Sequence, residues 1–470
     1  MTADPGSPRL QREILLNAFT MNTVGHVSPG LWTHPRDHSP DYRSLRYWTE
    51  LARLCERGLL DGIFIADVLG IYDVHQGGPE AALRHATQVP INDPAMLVSA
   101  MALVTEHLGF GITTNLSWEA PYLLARRMST LDHLTEGRIG WNIVTGYLDS
   151  AARAMGLPRV MAHDARYDLA EDYMQVVYKL WEGSWEDGAV RRDRAAGIFV
   201  DPARVHRIRH QGPHFDVDAI HLCEPSPQRT PVLYQAGTSS AGRGFAGRHA
   251  ECVFVSGPSA AVIAPRVAAL RAAAAAAGRA PEDLRVFSGM AVIVAATRSE
   301  AEDRHAEYLR HGSPEGALAL MSGWTGLDFG ELGLDDEVRR IESDAMRTAF
   351  DNIARTDASR AWTVREVADF TTIGGIAPVI TGDAAGVADA VEAWVEATGV
   401  DGLNLSSVVM PETFEAIVEH LVPELQRRGR YKRAYAPGTL RRKLFGRDRL
   451  EAPHPAAACR AGGKALGLLD

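Results

Sequence analysis

Apolar positions along the chain alternate between two periods. Short continuous apolar runs are followed by stretches in which apolar residues recur every three to four positions. Residues 13–19 form the first run and read as a buried strand. Residues 41–57 read as a helix: Trp48, Leu51, Ala52 and Cys55 fall at i, i+3, i+4 and i+7, with Gly58 placed as C-terminal cap. A second strand, 62–66, ends at Asp67. Asp93-Pro94 is an N-cap followed by proline at the first helical position, opening a helix to about 106. Strand 108–114, helix 121–131, strand 139–144 and the amphipathic helix 164–181 come next. Apolar runs at 232–236, 252–256 and 286–294 each precede a helical pattern. Helix 383–398, strand 402–405 and helix 411–427 end the rhythm.

About eight strands alternating with helices predict an α/β protein whose parallel sheet closes into a (β/α)8 TIM barrel. A doubly wound open sheet is the alternative. It normally carries a glycine-rich loop after its first strand, and Phe19-Thr20-Met21-Asn22 has none. Three stretches break the rhythm, at about 68–91, 183–230 and 299–378. They read as insertions over the barrel mouth within a single domain, 12–446, followed by a C-terminal tail, 447–470.

Composition excludes more than it selects. With 46% hydrophobic and 23% charged residues, the chain has the makings of a large ordinary core. A formal net charge of -10 argues against a nucleic-acid binder. The basic stretch 427–449 reads as a solvated tail that hugs the fold. Cys55, Cys223, Cys252 and Cys459 lie far apart with no CxxC or zinc spacing, which fits a reducing cytoplasm. The first residues lack a signal-peptide pattern, and no uncharged apolar run approaches a membrane span.

Barrel enzymes carry their chemistry at the carboxyl ends of strands, and Asp67, Thr113, Asn142 and Ser239 occupy such ends. Asp67 reads either as a carboxylate facing the mouth or as a helix cap or loop ion pair. Thr113 and Asn142 read equally as satisfied polar residues near a turn. The run 235–243, Gln-Ala-Gly-Thr-Ser-Ser-Ala-Gly-Arg, leaves a strand through small residues and enters a helix. Free N–H groups and hydroxyls there suit a phosphate; a plain small-residue turn is the competing reading. His163 and Tyr167 share one face at a helix start, a second candidate phosphate clamp or a turn packing on its own loop. His26, with Trp32, His34 and His38 close behind, is a candidate acid–base group or a surface-loop histidine. A metal is discounted, because no carboxylate or cysteine recurs at ligand spacing. Trp141 reads as core or pocket wall.

Several segments together resemble one family. They are 62–67 (Gly-Ile-Phe-Ile-Ala-Asp), 125–138, Trp141-Asn142-Ile143-Val144-Thr145, His163-Asp164-Ala165-Arg166-Tyr167, 235–239 and Gly438-Thr439-Leu440-Arg441. This set is similar to the nitrilotriacetate monooxygenase, dibenzothiophene-sulfone monooxygenase and pristinamycin synthase group of luciferase-like flavin monooxygenases. The resemblance spans about 12–446. It implies that Asp67, Thr113 and Asn142 face the flavin ring, that His163, Tyr167 and Ser239 hold its phosphate with Ser240 close by, and that His26 is catalytic, as proton donor or base. It implies FMN, delivered as FMNH2 by a separate NAD(P)H-dependent reductase, with O2 as co-substrate. One oxygen atom would enter a small organic substrate through a flavin peroxide; aromatic, sulfur- and halogen-bearing molecules and C–S, C–N or C–halogen cleavage all fall within the group. It also implies a homodimer or homotetramer. An F420-dependent oxidoreductase of the same superfamily and a non-catalytic flavin-binding protein are the rival readings. Thr33 stands where the group commonly has an arginine, which argues against a carboxylate or sulfonate clamp. Trp324, Phe329, Phe350 and Phe370 in the last insertion favour an apolar or aromatic substrate.

Overall fold

The structure is a computed structural model that describes residues 13–237, 239–338 and 362–460. Eight parallel strands form a closed barrel: β1 (Leu15–Met21), β2 (Gly62–Ala66), β3 (Gly109–Asn115), β4 (Ile139–Val144), β5 (Val232–Gln235), β6 (Cys252–Val255), β7 (Arg285–Ala295) and β8 (Gly402–Ser406). Each pairs with its neighbour in chain order, except that β7 and β8 also meet directly after a long connection. β8 closes the ring on β1, with Leu15 beside Gly402 and Phe19 beside Ser406. The outer helices are α1 (Leu45–Arg57), α2 (Ala95–Leu103), α3 (Pro121–Leu134), α4 (His163–Tyr178), α5 (Ser240–His249), α6 (Ala260–Ala276) and α7 (Ala384–Thr398). α8 follows, built from Glu412–Ala416, a π-helical turn Ile417–Leu421 and Val422–Arg427.

Both faces of each barrel strand are buried, which is why the strands read as continuous apolar runs. Along β1 and β2, Leu16, Ala18, Ile63 and Ile65 pack outward in the same core as Trp48 and Leu51 of α1. The alternate residues Phe19 and Phe64 pack inside the barrel with Tyr234, Phe287 and Phe254. Two boundaries differ from the sequence reading. β1 runs on to Met21, because Thr20 and Met21 pair with Ile65 and Ala66 of β2. The helix expected from residue 41 begins at Leu45. Ser44, in extended conformation, caps it by accepting a hydrogen bond from the Arg46 N–H, and 39–43 is a separate 3-10 turn.

Two of the three insertions follow strands and therefore sit at the mouth. The 68–91 segment and the helix Pro314–Thr325 pack together: His85 meets Glu315 at 2.8 Å, and the Gln76 N–H donates to Asp328 at 2.7 Å. The 183–230 segment differs from expectation. It connects a helix to a strand, so it lies along α3 and α4 and runs to the opposite end of the barrel. Its two antiparallel hairpins are Val190–Asp193 with Ile198–Val200 and Ile208–Gln211 with Asp216–Ala219, and the second reaches back to the start of α3, where the Tyr122 hydroxyl donates to the Ile220 carbonyl at 3.3 Å. His210 pairs with Asp172 of α4 at 2.8 Å, and Gln228 bonds Asp132 of α3 at 2.7 Å.

The basic C-terminal stretch is not a solvated tail either. The helix Leu440–Phe445 plugs the barrel floor, where Leu440 and Leu444 join the interior core. Arg441 is fully buried and forms a two-pronged ion pair with the fully buried Glu251, at 2.7 and 2.9 Å. Its other N–H groups donate to the carbonyls of Gln228, Thr230 and Pro231. Among the described residues, no helix is long and apolar enough to cross a membrane.

Removing one member of a buried ion pair leaves an uncompensated charge, at a cost of about 3–5 kcal/mol. Arg441→Met is therefore expected to destabilise the protein by about that amount, read as a lower urea midpoint. Adding Glu251→Leu should restore most of the loss. A double variant no more stable than the single one would locate the cost in packing and not in the stranded carboxylate.

Candidate active site

The carboxyl ends of the strands open into two adjoining cavities of about 300 and 310 Å³. They share Asp67, Thr113, Val144, Tyr147 and Ala236 as common walls. Both lie at the face where the parallel strands end, as expected for a barrel enzyme.

The first cavity is polar at its far end. His163 and Tyr167, one turn apart at the start of α4, both line it. The His163 side chain is 47% exposed, and its Nδ1 meets Asp164 at 2.8 Å. The Tyr167 hydroxyl is part-buried and meets Gln235 Nε2 at 3.5 Å and the Ser239 side chain. It fills the space that side chains at two glycines would need: a Cβ at Gly237 would lie 2.4 Å from it, and one at Gly242 2.7 Å. Ser239 caps α5 by accepting the Gly242 N–H at 3.1 Å. It therefore meets the cavity through Tyr167. Ser240 is exposed in the first turn of α5 and lines neither cavity. Thr238 lies outside the described residues.

Arg166 also lines this cavity, and the sequence reading passed over it. Its Nη1 donates to the Met161 carbonyl at 2.9 Å, while its Nε is buried without a partner. Burial lowers its pKa, against the pull of Tyr167 and Asp149. A desolvated guanidinium beside two helix starts is an environment that favours an anion. The only signal in the sequence was its place inside the 163–167 segment.

The second cavity is largely apolar, walled by Phe19, Phe64, Phe254 and Trp324. Asn142 and Thr113 are joined here: Asn142 Nδ2 donates to Thr113 Oγ1 at 2.8 Å, and Thr113 donates to the Ile65 carbonyl at 3.1 Å. Asn142 Oδ1 is left buried with no partner, as is Gln235 Oε1 on the neighbouring strand. Buried polar atoms in native proteins are normally satisfied, so these acceptors point to a ligand with N–H donors.

His26 lines the second cavity, 7% exposed, with its ring edge-on to Phe19 at 4.4 Å. Burial drives its pKa down to about 3, opposed only by a hydrogen bond to the Phe19 backbone. The imidazole is therefore neutral, with Nδ1 unpartnered. Its main-chain carbonyl holds Gln88 Nε2 at 2.8 Å, and Gln88 Oε1 accepts from Tyr72, whose hydroxyl meets Tyr147 at 2.7 Å. Nothing in the sequence pattern singled out Gln88, Tyr72 or Tyr147. His34 and Thr33 do not reach the cavities. Thr33 meets His311 at 3.1 Å on the outer surface, and His34 faces Glu307. Of the four aromatics expected at the mouth, Trp324 alone of those described lines a cavity. Phe329 and Phe370 pack in the core of the third insertion, and Phe350 lies outside the described residues.

Asp67 stands on the wall between the cavities. Burial, reinforced by Asp93, pushes its carboxyl up to about 7, with a backbone contact to Val68 acting the other way.

Fold and site together define a (β/α)8-barrel enzyme with a two-part pocket, apolar at the barrel axis and anion-compatible at its edge. The chain belongs to the luciferase-like monooxygenase family, whose pattern matches residues 21–402. It is 48% identical over 453 residues to the dimethyl-sulfide monooxygenase of Hyphomicrobium sulfonivorans, covering 96% of this chain and 94% of that one. It is 46% identical to the long-chain alkane monooxygenase of Geobacillus thermodenitrificans, covering 96% and 98%. A crystal structure of long-chain alkane monooxygenase superposes with a TM-score of 0.89 over 96% of this chain and 100% of that one. A riboflavin lyase solved with modified FMN and riboflavin superposes at 0.88, with 37% identity over 96% of this chain and 100% of that one. The chain is thus a monooxygenase.

The raised Asp67 pKa carries a stability consequence. The unfolded chain releases this proton near 3.8, whereas the folded protein holds it to about 7. Flavin-free protein therefore loses stability as pH rises through that window. Asp67→Asn should melt at the wild-type temperature below the window and at a higher temperature above it. A variant less stable than wild type at pH 8 would contradict the assignment.

Proposed function

We propose that the protein is the oxygenase component of a two-component system, taking FMNH2 from a separate NAD(P)H-dependent reductase and using O2 to oxygenate a small organic substrate. The observation that carries this reading is the junction of the two cavities. The Gly237–Gly242–Tyr167 cradle beside Arg166 suits a phosphate. The apolar cavity next to it, with a stranded acceptor on Asn142 and another on Gln235 of the adjoining first cavity, suits a planar ring that carries N–H donors. The residues present therefore fit FMN. Asn142, Thr113 and Asp67 would hold the ring, and Arg166, Tyr167, His163 and the start of α5 the phosphate. That FMN appears, in modified form, in the riboflavin lyase structure agrees with this choice.

Bound in its reduced state, FMN supplies the two electrons with which dioxygen gives one atom to substrate and the other to water. The protein's own contribution is orientation, dryness and proton control. The Tyr72–Gln88–His26 hydrogen-bond chain ties the 68–91 segment to the loop after β1, and the helix Pro314–Thr325 packs over it. Through Gln88 and Trp324 this packing walls one side of the apolar cavity. His26, neutral and with a free Nδ1, offers a hydrogen-bond acceptor there and not a cationic proton donor. Asp67 is the group that holds an exchangeable proton near neutral pH.

Quenching of FMN fluorescence tests the reading. FMN should bind and F420 should not. Arg166→Met and Ser239→Ala should weaken FMN by about tenfold or more, the loss expected for a charge-assisted hydrogen bond or its support. Riboflavin, which lacks the phosphate, should be unaffected by either change. Equal losses for FMN and riboflavin would remove the phosphate assignment, and absence of FMN binding would remove the flavin reading.

A further inference from the structure

The second cavity has a chemical character of its own. The acid and base among its described lining residues, apart from the Tyr147 phenol, are Asp67 and His26, and no lysine or arginine lines it. His26 stays neutral there and so provides no counter-charge. Arg166 lines the first cavity only. A carboxylate or sulfonate entering the second cavity would lose its water, find no cation and approach Asp67. Burying an unpaired charge in that way is strongly unfavourable. An ammonium group has no free acidic partner either, since Asp67 is shared with the ring subsite.

The wall beside the loop that carries His26 is built to be apolar. Gly374 and Gly375 both adopt positive φ, at +77° and +62°, and turn Ile376 and Ala377 toward the cavity. The turn is held by the Gly374 N–H donating to Ser28 Oγ at 3.1 Å. A Cβ at Gly375 would lie 3.0 Å from the Trp324 ring, so the turn and the indole are fitted to each other. The cavity is also small: its 310 Å³ must hold a tricyclic ring as well as the substrate.

We infer that the substrate is a small uncharged molecule without carboxylate, sulfonate or ammonium, and that Ile376 and Trp324 determine this specificity. The inference rests on the flavin reading for the size of the remaining space. The charge argument stands on the lining residues alone.

Calorimetric titration tests it with three compounds of similar size: dimethyl sulfide, methylthioacetate and 2-(methylthio)ethylammonium. Each is added to the full protein with and without FMN. Dimethyl sulfide should bind at least ten times more tightly than either ion in both series. Ile376→Arg should weaken dimethyl sulfide at least tenfold and raise the affinity for methylthioacetate in the series without FMN. Either ion binding wild type as tightly as the sulfide, or no binding of the sulfide at all, would overturn the inference. So would an Ile376→Arg protein that binds FMN normally and keeps the wild-type preference. The wild-type comparison stands if that variant does not fold. Should FMN fail to bind while the sulfide is still preferred over both ions, the flavin reading falls and the charge selectivity remains.

Discussion

Everything at the mouth depends on the sheet closing upon itself. β8 pairs with β1 on one side and β7 on the other, and inside that seam Asn17 Nδ2 donates to Asn404 Oδ1 at 3.0 Å, both side chains buried. A parallel ring has all its carboxyl ends on one face, so residues from β2, β3, β4 and β5 converge although they are far apart in sequence. Closure from below is equally necessary. The helix Leu440–Phe445, fixed by the Arg441–Glu251 pair, fills the floor and lets the interior above it stay dry.

The dry interior then sets the chemistry. Burial moves an acid and a base in opposite pKa directions, Asp67 up and His26 down, and both moves favour the uncharged form. The apolar cavity thus carries no charge from His26 and, below about pH 7, little from Asp67. Positive character is confined to the edge, where Arg166 and the first turns of α4 and α5 meet. A ligand with a neutral ring and an anionic tail matches this division, and a neutral co-substrate is what the remaining apolar wall accommodates.

Much of this was legible in the amino-acid order. The eight strands were, because burial on both faces leaves unbroken apolar runs such as Gly62–Ala66. Asp67, Thr113, Asn142, His163 and Tyr167 were, because a strand end or helix start places a side chain without reference to tertiary contacts. The 183–230 segment was assigned to the mouth, whereas it lies along α3 and α4 down to the barrel floor. The missing rule was topological: a helix-to-strand connection lies on the face opposite the mouth. Arg166 was hidden because nothing local marks a buried guanidinium with an unpaired Nε. The neutrality of His26 was hidden because desolvation is a property of the assembled cavity. Trp324 lies at the end of the helix Pro314–Thr325 and packs against the glycine turn at 374–375, whereas Phe329 opens the following 3-10 turn and packs in the insertion's own core.

The account's central claim is that the two cavities are one flavin site with its phosphate at the α4–α5 edge. A crystal structure of the protein with FMN tests it most directly. The phosphate is predicted within hydrogen-bond distance of Arg166, Tyr167 and the first backbone N–H groups of α5, with the ring in the apolar cavity against Asn142. FMN bound elsewhere, or with its phosphate toward His26 and its ring beside His163, would contradict the claim.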